Sequence, residues 1–257
     1  MIHQTAIVSL NAEIDESAEI GAYSIIGDEV VIGAGTRIGS HVVIKGPTRI
    51  GKCCTIFSFA AIGDIPQDLK FKGERTEVVI GDNNTIREYV TINRGTKGGG
   101  GITSIGDNNL IMAYCHIAHD CILGNGIIMS NGVNLAGHIS IEDFAVIGGL
   151  VGVQQFVRIG KYAMIGGMSG VPQDIPPFVI AAGDRAKLNG INIIGLKRHG
   201  FSAETISEIK TAYKILFRSG LTTQKAAQRI EEEGLTSSEV QELVRFVLTA
   251  ERGVLRK

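Results

Sequence analysis

Stepping along the chain in sixes from Ile2 meets an aliphatic residue every time: Ile2, Val8, Ile14, Ile20, Ile26, Ile32, Ile38, Ile44, Ile50, Ile56 and Ile62. The same phase returns at Ile80, Ile86 and Ile92. Shifted by one residue, it then runs Ile105, Ile111, Ile117, Leu123, Met129, Leu135, Ile141, Ile147, Val153, Ile159, Ile165 and Val171. Four residues after each of the early positions comes a second, mostly small residue, as in Ala12, Ala18, Ser24, Thr36, Cys54 and Ala60. A period of six with two inward points fits neither the 3.6-residue helix nor a long alternating strand. It describes short strands joined by tight turns, three to a coil of 18 residues, stacked as a parallel β-helix. Coils spaced ~4.8 Å apart, the ordinary distance between paired strands, make a rod of roughly 50 Å.

Two stretches break the phase and leave the coil as excursion loops. One, near residues 63–79, puts Asp68 and Glu74 at positions that should be aliphatic; the other, near 94–101, is the glycine run that shifts the register. The repeat ends near residue 189, and 190–257 reads as a small C-terminal α-helical domain. Ser202 opens a helix with Ile206, Ile209, Tyr213 and Leu216 on one face, ended by Gly220. Thr236-x-x-Glu239 has the spacing of a capping box for another, with Val240, Leu243, Val244 and Val247 as its apolar face.

Composition fits an aliphatic, turn-rich fold: 34 Gly, no Trp and 5% aromatic residues beside 44% hydrophobic ones. A formal net charge of −1 excludes a general binder of nucleic acid or of anionic membranes, which would carry a basic excess. The start, MIHQTAIV, has no basic region followed by a long apolar run, and no stretch approaches a membrane span. The expectation is a cytoplasmic protein without stable membrane insertion. Cys54, Cys115 and Cys121 fall at the small inward position and read as packing residues, and Cys53, which the rule does not explain, is expected to be exposed; no metal or disulfide framework is indicated.

The chemistry concentrates in "HIAHD", residues 116–120, and in His138. In this register His116, His119 and His138 point away from the coil interior, and His119 and His138 are 19 residues apart, on neighbouring coils. Three readings follow: solvated imidazoles, a metal site, or an imidazole base. Asp120 stands ready to orient His119, and Gly137 offers an unobstructed backbone N–H to a developing oxyanion. No carboxylate or cysteine completes a ligand set at familiar spacing.

The segments "HIAHDCILGN", "LAGHISIEDFAVIGG", "QDLKFKGE", "NRGT", "SGVPQDIPPFVIA" and "GINIIGLKRHGFS", in this order over nearly the whole chain, resemble the UDP-N-acetylglucosamine acyltransferase family of lipid A biosynthesis. The resemblance implies a left-handed β-helix assembled as a homotrimer with sites between subunits. It implies transfer of an R-3-hydroxyacyl chain from acyl carrier protein to the 3-hydroxyl of UDP-N-acetylglucosamine, with no metal or other cofactor. By motif, His119 matches the general base, Asp120 its orienting carboxylate and Gly137 the oxyanion donor. His116, His138 and Gln155 match contacts to the sugar nucleotide or acyl chain, and Asp68 and Lys70 match substrate contacts reaching across from a neighbouring subunit. Asn192 and Arg198 match uridine and diphosphate contacts, and Gly167 the acyl-chain ruler.

Seven Lys or Arg residues against two acids in 185–220 suit the docking of an acidic carrier protein. Two positions depart from the family pattern: Gln154 where a histidine is usual, and Ile194 where an acidic residue is usual. The first opens the alternative that the acceptor is a 3-amino sugar nucleotide, giving an amide. A non-catalytic β-helical scaffold and a zinc hydratase are the readings from other classes.

Overall fold

The computed structural model describes residues 1–256. Its repeating part is a three-sided parallel β-helix whose strands, mostly of two residues, form sheets of nine, eight and ten strands. The first sheet runs from Ile7–Val8 to Gly170–Val171, the second from Glu13–Ile14 to Arg158–Ile159, and the third starts at Glu19–Ile20. Each strand pairs with the one a coil later and in register, as Ile26↔Ile44, Ile44↔Ile62, Ile62↔Ile92, Ile92↔Ile117 and Ile117↔Leu135 show for the first sheet. The six-residue aliphatics therefore stack into continuous interior columns, buried from Ile20 to Val171.

The second inward position is what lets polar residues into this core. Ser24 Oγ donates to the Gly39 carbonyl and accepts the Val42 N–H, and Thr36 does the same between Gly51 and Cys54. Asn109 Nδ2 donates to the Gly124 carbonyl at 3.0 Å while its Oδ1 accepts the Ile127 N–H at 2.7 Å. These side chains satisfy backbone groups that the turns would otherwise leave unpaired inside the protein. The buried cysteines act similarly, and burial pushes the Cys121 thiol up to about 12 and Cys115 to about 11, so both remain protonated.

Turns are made by residues at positive φ three positions after the aliphatic, and most of these are not glycine. At the corner between the third and first sheets this position is aromatic on five successive coils. Tyr23, His41, Phe59, Tyr89 and Tyr114 stack with ring centroids 4.9 to 5.2 Å apart. Stacking along the rod offsets the cost of a left-handed backbone in side chains that rarely adopt it.

Both excursion loops leave at one corner, between the first and second sheets. The first departs after Ala61–Asp64 and returns at Glu77–Ile80; the second departs after Thr91–Asn93, makes a single 3₁₀ turn over Lys97–Gly99, and returns at Ile102–Ile105. After the last coil, strands Val179–Ala182 and Lys187–Ile191 form an antiparallel hairpin on the third sheet. Helices α1 (Ile193–Arg198), α2 (Ala203–Arg218), α3 (Thr223–Glu232) and α4 (Ser238–Leu248) follow.

Ser202 caps α2 through the Thr205 N–H, and Gly220 follows its end at φ 76°. The capping box at α4 is not formed. Its N-cap is Ser237, one residue later than the sequence spacing indicates, which leaves Glu239 a residue short of the position from which it could reach back. The chain then returns to the β-helix: Val254 pairs with Asp174, and the Arg158 guanidinium joins Asp174, the Phe246 carbonyl and Thr249.

Replacing Asn109 by Ala strands the Ile127 N–H and the Gly124 carbonyl in the core. This is expected to lower stability by about 2 kcal/mol, read as a lower urea midpoint with unchanged slope.

Candidate active site

Asp120, His138 and Phe156 occupy the positive-φ turn of three successive coils at the excursion-loop corner, at φ 60°, 61° and 65°. The turn geometry lines their side chains up along the rod. The His138 ring stacks on Phe156, with centroids 4.4 Å apart and planes within 4°, and meets His119 edge-on at 5.0 Å. His119 Nδ1 lies 2.7 Å from Asp120 Oδ2. An ionised carboxylate only accepts, so Nδ1 carries the proton and Nε2 keeps its lone pair.

The histidines do project out of the coil, but His119 and Asp120 are not solvent-facing: each is only 5% exposed. The second excursion loop lies over Asp120, and Gly137 and His138 pack against the His119 ring. The Thr96 N–H donates to Asp120 Oδ1 at 2.8 Å, the Thr96 hydroxyl to Oδ2 at 2.6 Å, and the Asp120 N–H donates to Thr103 Oγ1. A buried carboxylate supplied with several donors is a tolerable charge.

Gly137 is required by proximity rather than by backbone conformation. A Cβ there would sit 2.4 to 3.0 Å from His119 ring atoms. Its N–H has no protein partner among the described residues and stands beside the imidazole, as an oxyanion donor must.

His116 lies on the outer face of the first sheet, paired with Thr91 and Asn134, and its Nδ1 is 2.7 Å from Thr91 Oγ1. Burial, with the neighbouring His119, holds its imidazole below the ordinary histidine range. His138 is also lowered, chiefly by burial, with the Asp120 charge opposing. An open depression of about 520 Å³ is lined by Gln67, His116, His119, Asn134, Gly137 and Gln155. Gln154, the departure from the family pattern, faces the same depression.

Asp68 sits close enough to His138 for its charge to act on that ring within the same chain. The loop leaves the site corner two and three coils below the histidines and folds up beside them within its own chain. Lys70 is exposed; its N–H donates to Asp68 Oδ1.

Asn192 and Arg198 are not brought to the histidines. Asn192 is a buried N-cap of α1, accepting the Gly195 N–H and donating to the Tyr162 carbonyl, at the corner between the second and third sheets. Arg198 is exposed on the last turn of α1. Gly167 turns at the third corner, where a Cβ would come within 3.2 Å of the Gly149 carbonyl.

His119, Asp120 and His138 also present donor atoms within 4.8 Å of one another. Both Asp120 oxygens are already engaged by hydrogen bonds, and His119 Nδ1 spends its proton on one of them. The set is therefore better suited to orienting a base than to holding a cation.

The sequence reading missed Thr91, Thr96, Thr103 and Phe156 as neighbours of these groups. The one-residue phase shift at the glycine run was the available signal for Thr96 and Thr103.

A family described as "Bacterial transferase hexapeptide (six repeats)" matches residues 11–46 and 102–137, and "Udp N-acetylglucosamine O-acyltransferase; Domain 2" matches 174–255. The acyl-[acyl-carrier-protein]–UDP-N-acetylglucosamine O-acyltransferase of Thermodesulfovibrio yellowstonii is 58% identical over 255 residues, covering 99% of both chains. This chain belongs to the UDP-N-acetylglucosamine O-acyltransferase family. The Herminiimonas arsenicoxydans member is 54% identical over 260 residues, covering 100% of this chain and 99% of its own. The crystal structure of the UDP-N-acetylglucosamine acyltransferase of Bacteroides fragilis, 46% identical, superposes with a TM-score of 0.98 over 100% of both chains. The left-handed parallel β-helix followed by helices is thus this acyltransferase's fold.

Because the folded His116 ring is held below the unfolded value of ~6.5, unfolding takes up a proton. Its contribution to stability is complete above that value and is lost as pH falls through the folded-state value. The urea midpoint is expected to drop between about pH 7 and pH 5, and to drop less steeply in His116→Asn.

Proposed function

We propose that this acyltransferase moves an R-3-hydroxyacyl chain from acyl carrier protein to the 3-hydroxyl of UDP-N-acetylglucosamine, the first step of lipid A biosynthesis, in the cytoplasm and without a metal or other cofactor. The observation that carries the reading is the buried His119–Asp120 pair with its free Nε2 beside the unpartnered Gly137 N–H. His119 Nε2 takes the proton of the sugar hydroxyl as its oxygen attacks the thioester carbonyl, and Asp120 holds the imidazolium that forms. The Gly137 N–H donates a hydrogen bond to the tetrahedral oxyanion. Collapse breaks the C–S bond, and the imidazolium returns its proton to the departing thiolate.

Full-length relatives named for this reaction support the substrates. No helix of the described residues is long and apolar enough to cross a membrane, in keeping with carrier-bound and nucleotide-bound substrates.

The working unit is a homotrimer with sites between subunits. Within one chain the histidines stand at one corner and Asn192 and Arg198 at another, so a neighbour must bring the two sets together. A ladder of half-buried aliphatics, Leu110, Ile128, Val146, Met164 and Ile180, on the outer face of the third sheet supplies an apolar surface for that packing. Exposed Leu150 and Met168 continue it at the adjoining corner. The carrier docks on the helical part, where Lys210, Lys214 and Arg218 line an open groove of about 770 Å³ beside the hairpin.

The test offers the purified protein R-3-hydroxyacyl carrier proteins of graded length with UDP-N-acetylglucosamine or its 3-amino analogue. Ester product from the hydroxyl sugar is expected, with kcat/KM falling about 10²–10⁴-fold in His119→Ala. Product from the amino sugar alone would replace the named reaction, and full activity in His119→Ala would remove the base. In the same assay, Gly167→Leu should move the preferred acyl chain to a shorter length, since the added side chain enters at the Gly149 backbone.

A further inference from the structure

We infer that Thr96 is a positioning residue for the reaction, holding Asp120 so that its carboxylate presents one fixed oxygen to His119. The inference rests on the His119–Asp120 reading above. It begins with the register. Counting from Ile92, Thr96 falls four residues on, at the small inward position that Ser24, Thr36 and Asn109 fill elsewhere. The excursion sets Ile105 thirteen residues after Ile92, where one step between sheets takes six, so seven residues are inserted and the phase moves by one; Thr103, fully buried, takes the inward position in its place. Thr103 still accepts a backbone N–H from the next coil, that of Asp120. Thr96 is released from the core and turned onto the Asp120 carboxylate, remaining only 6% exposed.

Every donor on that carboxylate is then assigned. Oδ1 accepts the Thr96 N–H; Oδ2 accepts the Thr96 hydroxyl and His119 Nδ1. The hydroxyl has no freedom to turn away, because its own oxygen accepts the Gly99 N–H at 3.2 Å and its proton goes to the carboxylate. Gly99 completes the clasp by lacking a side chain: a Cβ there would lie 2.0 to 2.4 Å from the Asp120 carboxyl atoms. Its φ is not in the left-handed region, so substitution strains the carboxylate contact rather than the backbone. With both oxygens pinned, the carboxylate cannot rotate, and the His119 ring is held in one plane and one tautomer. A carboxylate free to turn would hydrogen-bond His138 Nδ1 as readily, which lies 3.7 Å from the same Oδ2.

The test compares Thr96→Val, Thr96→Ser and Gly99→Ala with the parent and with the Asp120→Asn background. Loss of one charge-assisted hydrogen bond predicts a kcat lowered roughly 10–100-fold in Thr96→Val. The KM of both substrates should stay within about two-fold, because no substrate contact is removed. Thr96→Ser keeps the hydroxyl and should recover most of the parent rate, and Gly99→Ala should lower kcat as Thr96→Val does. In the Asp120→Asn background, Thr96→Val should add less than about two-fold, since it acts through a group already changed. Parental kcat in Thr96→Val, a loss that appears in KM, or an equal further loss in the Asp120→Asn background would each overturn the inference. If Thr96→Val does not fold, Thr96→Ser and Gly99→Ala carry the comparison. Failure of the underlying reading shows separately, as undiminished activity in His119→Ala.

Discussion

A chain that winds in one direction can satisfy its backbone only by bonding to itself one coil ahead, and everything else in this molecule follows from that constraint. Successive turns must have one length, so the interior must repeat every six residues. The interior columns of isoleucine and valine are the consequence, as β-branched side chains fill a short pleated strand well. Small polar residues enter only where they complete the coil-to-coil bonding, as Ser24, Thr36 and Asn109 do. Outward positions carry no such demand, so the surface is free to hold chemistry.

The candidate site uses that freedom at a single corner. Turn residues there point along the rod, and successive coils bring Asp120, His138 and Phe156 into a column without any long-range folding. The coil alone would leave this column open to water. Both excursion loops emerge at the same corner just below it, one placing Asp68 near His138 and the other placing Thr96 over Asp120. Water exclusion and orientation therefore come from loops, and alignment comes from the coil.

The division explains what the sequence disclosed. Period six, the inward cysteines and the helix starting after Ser202 were legible because each depends on residues near one another in sequence or on strict recurrence. Helix α3 was not, because only Ala226 and Ile230 of it are buried and its apolar signal is correspondingly weak. The covering of Asp120 was not legible either. It depends on Thr96, 24 residues earlier, folding back over the coil, and nothing in the period states which way an interruption turns. Asn192 shows the limit from the other side: nothing in its segment states that its amide oxygen caps α1 through the Gly195 N–H while its Nδ2 donates to the Tyr162 carbonyl of the β-helix.

The corner excursions also bear on how such a protein can vary. Ile62 pairs in register with Ile92 although the chain between them has left the coil and returned. The rod thus treats an insertion at a corner as if it were absent. Descendants can lengthen, shorten or rewrite a corner loop while the inherited interior stays the same, so scaffold and site can diverge at separate rates within one gene.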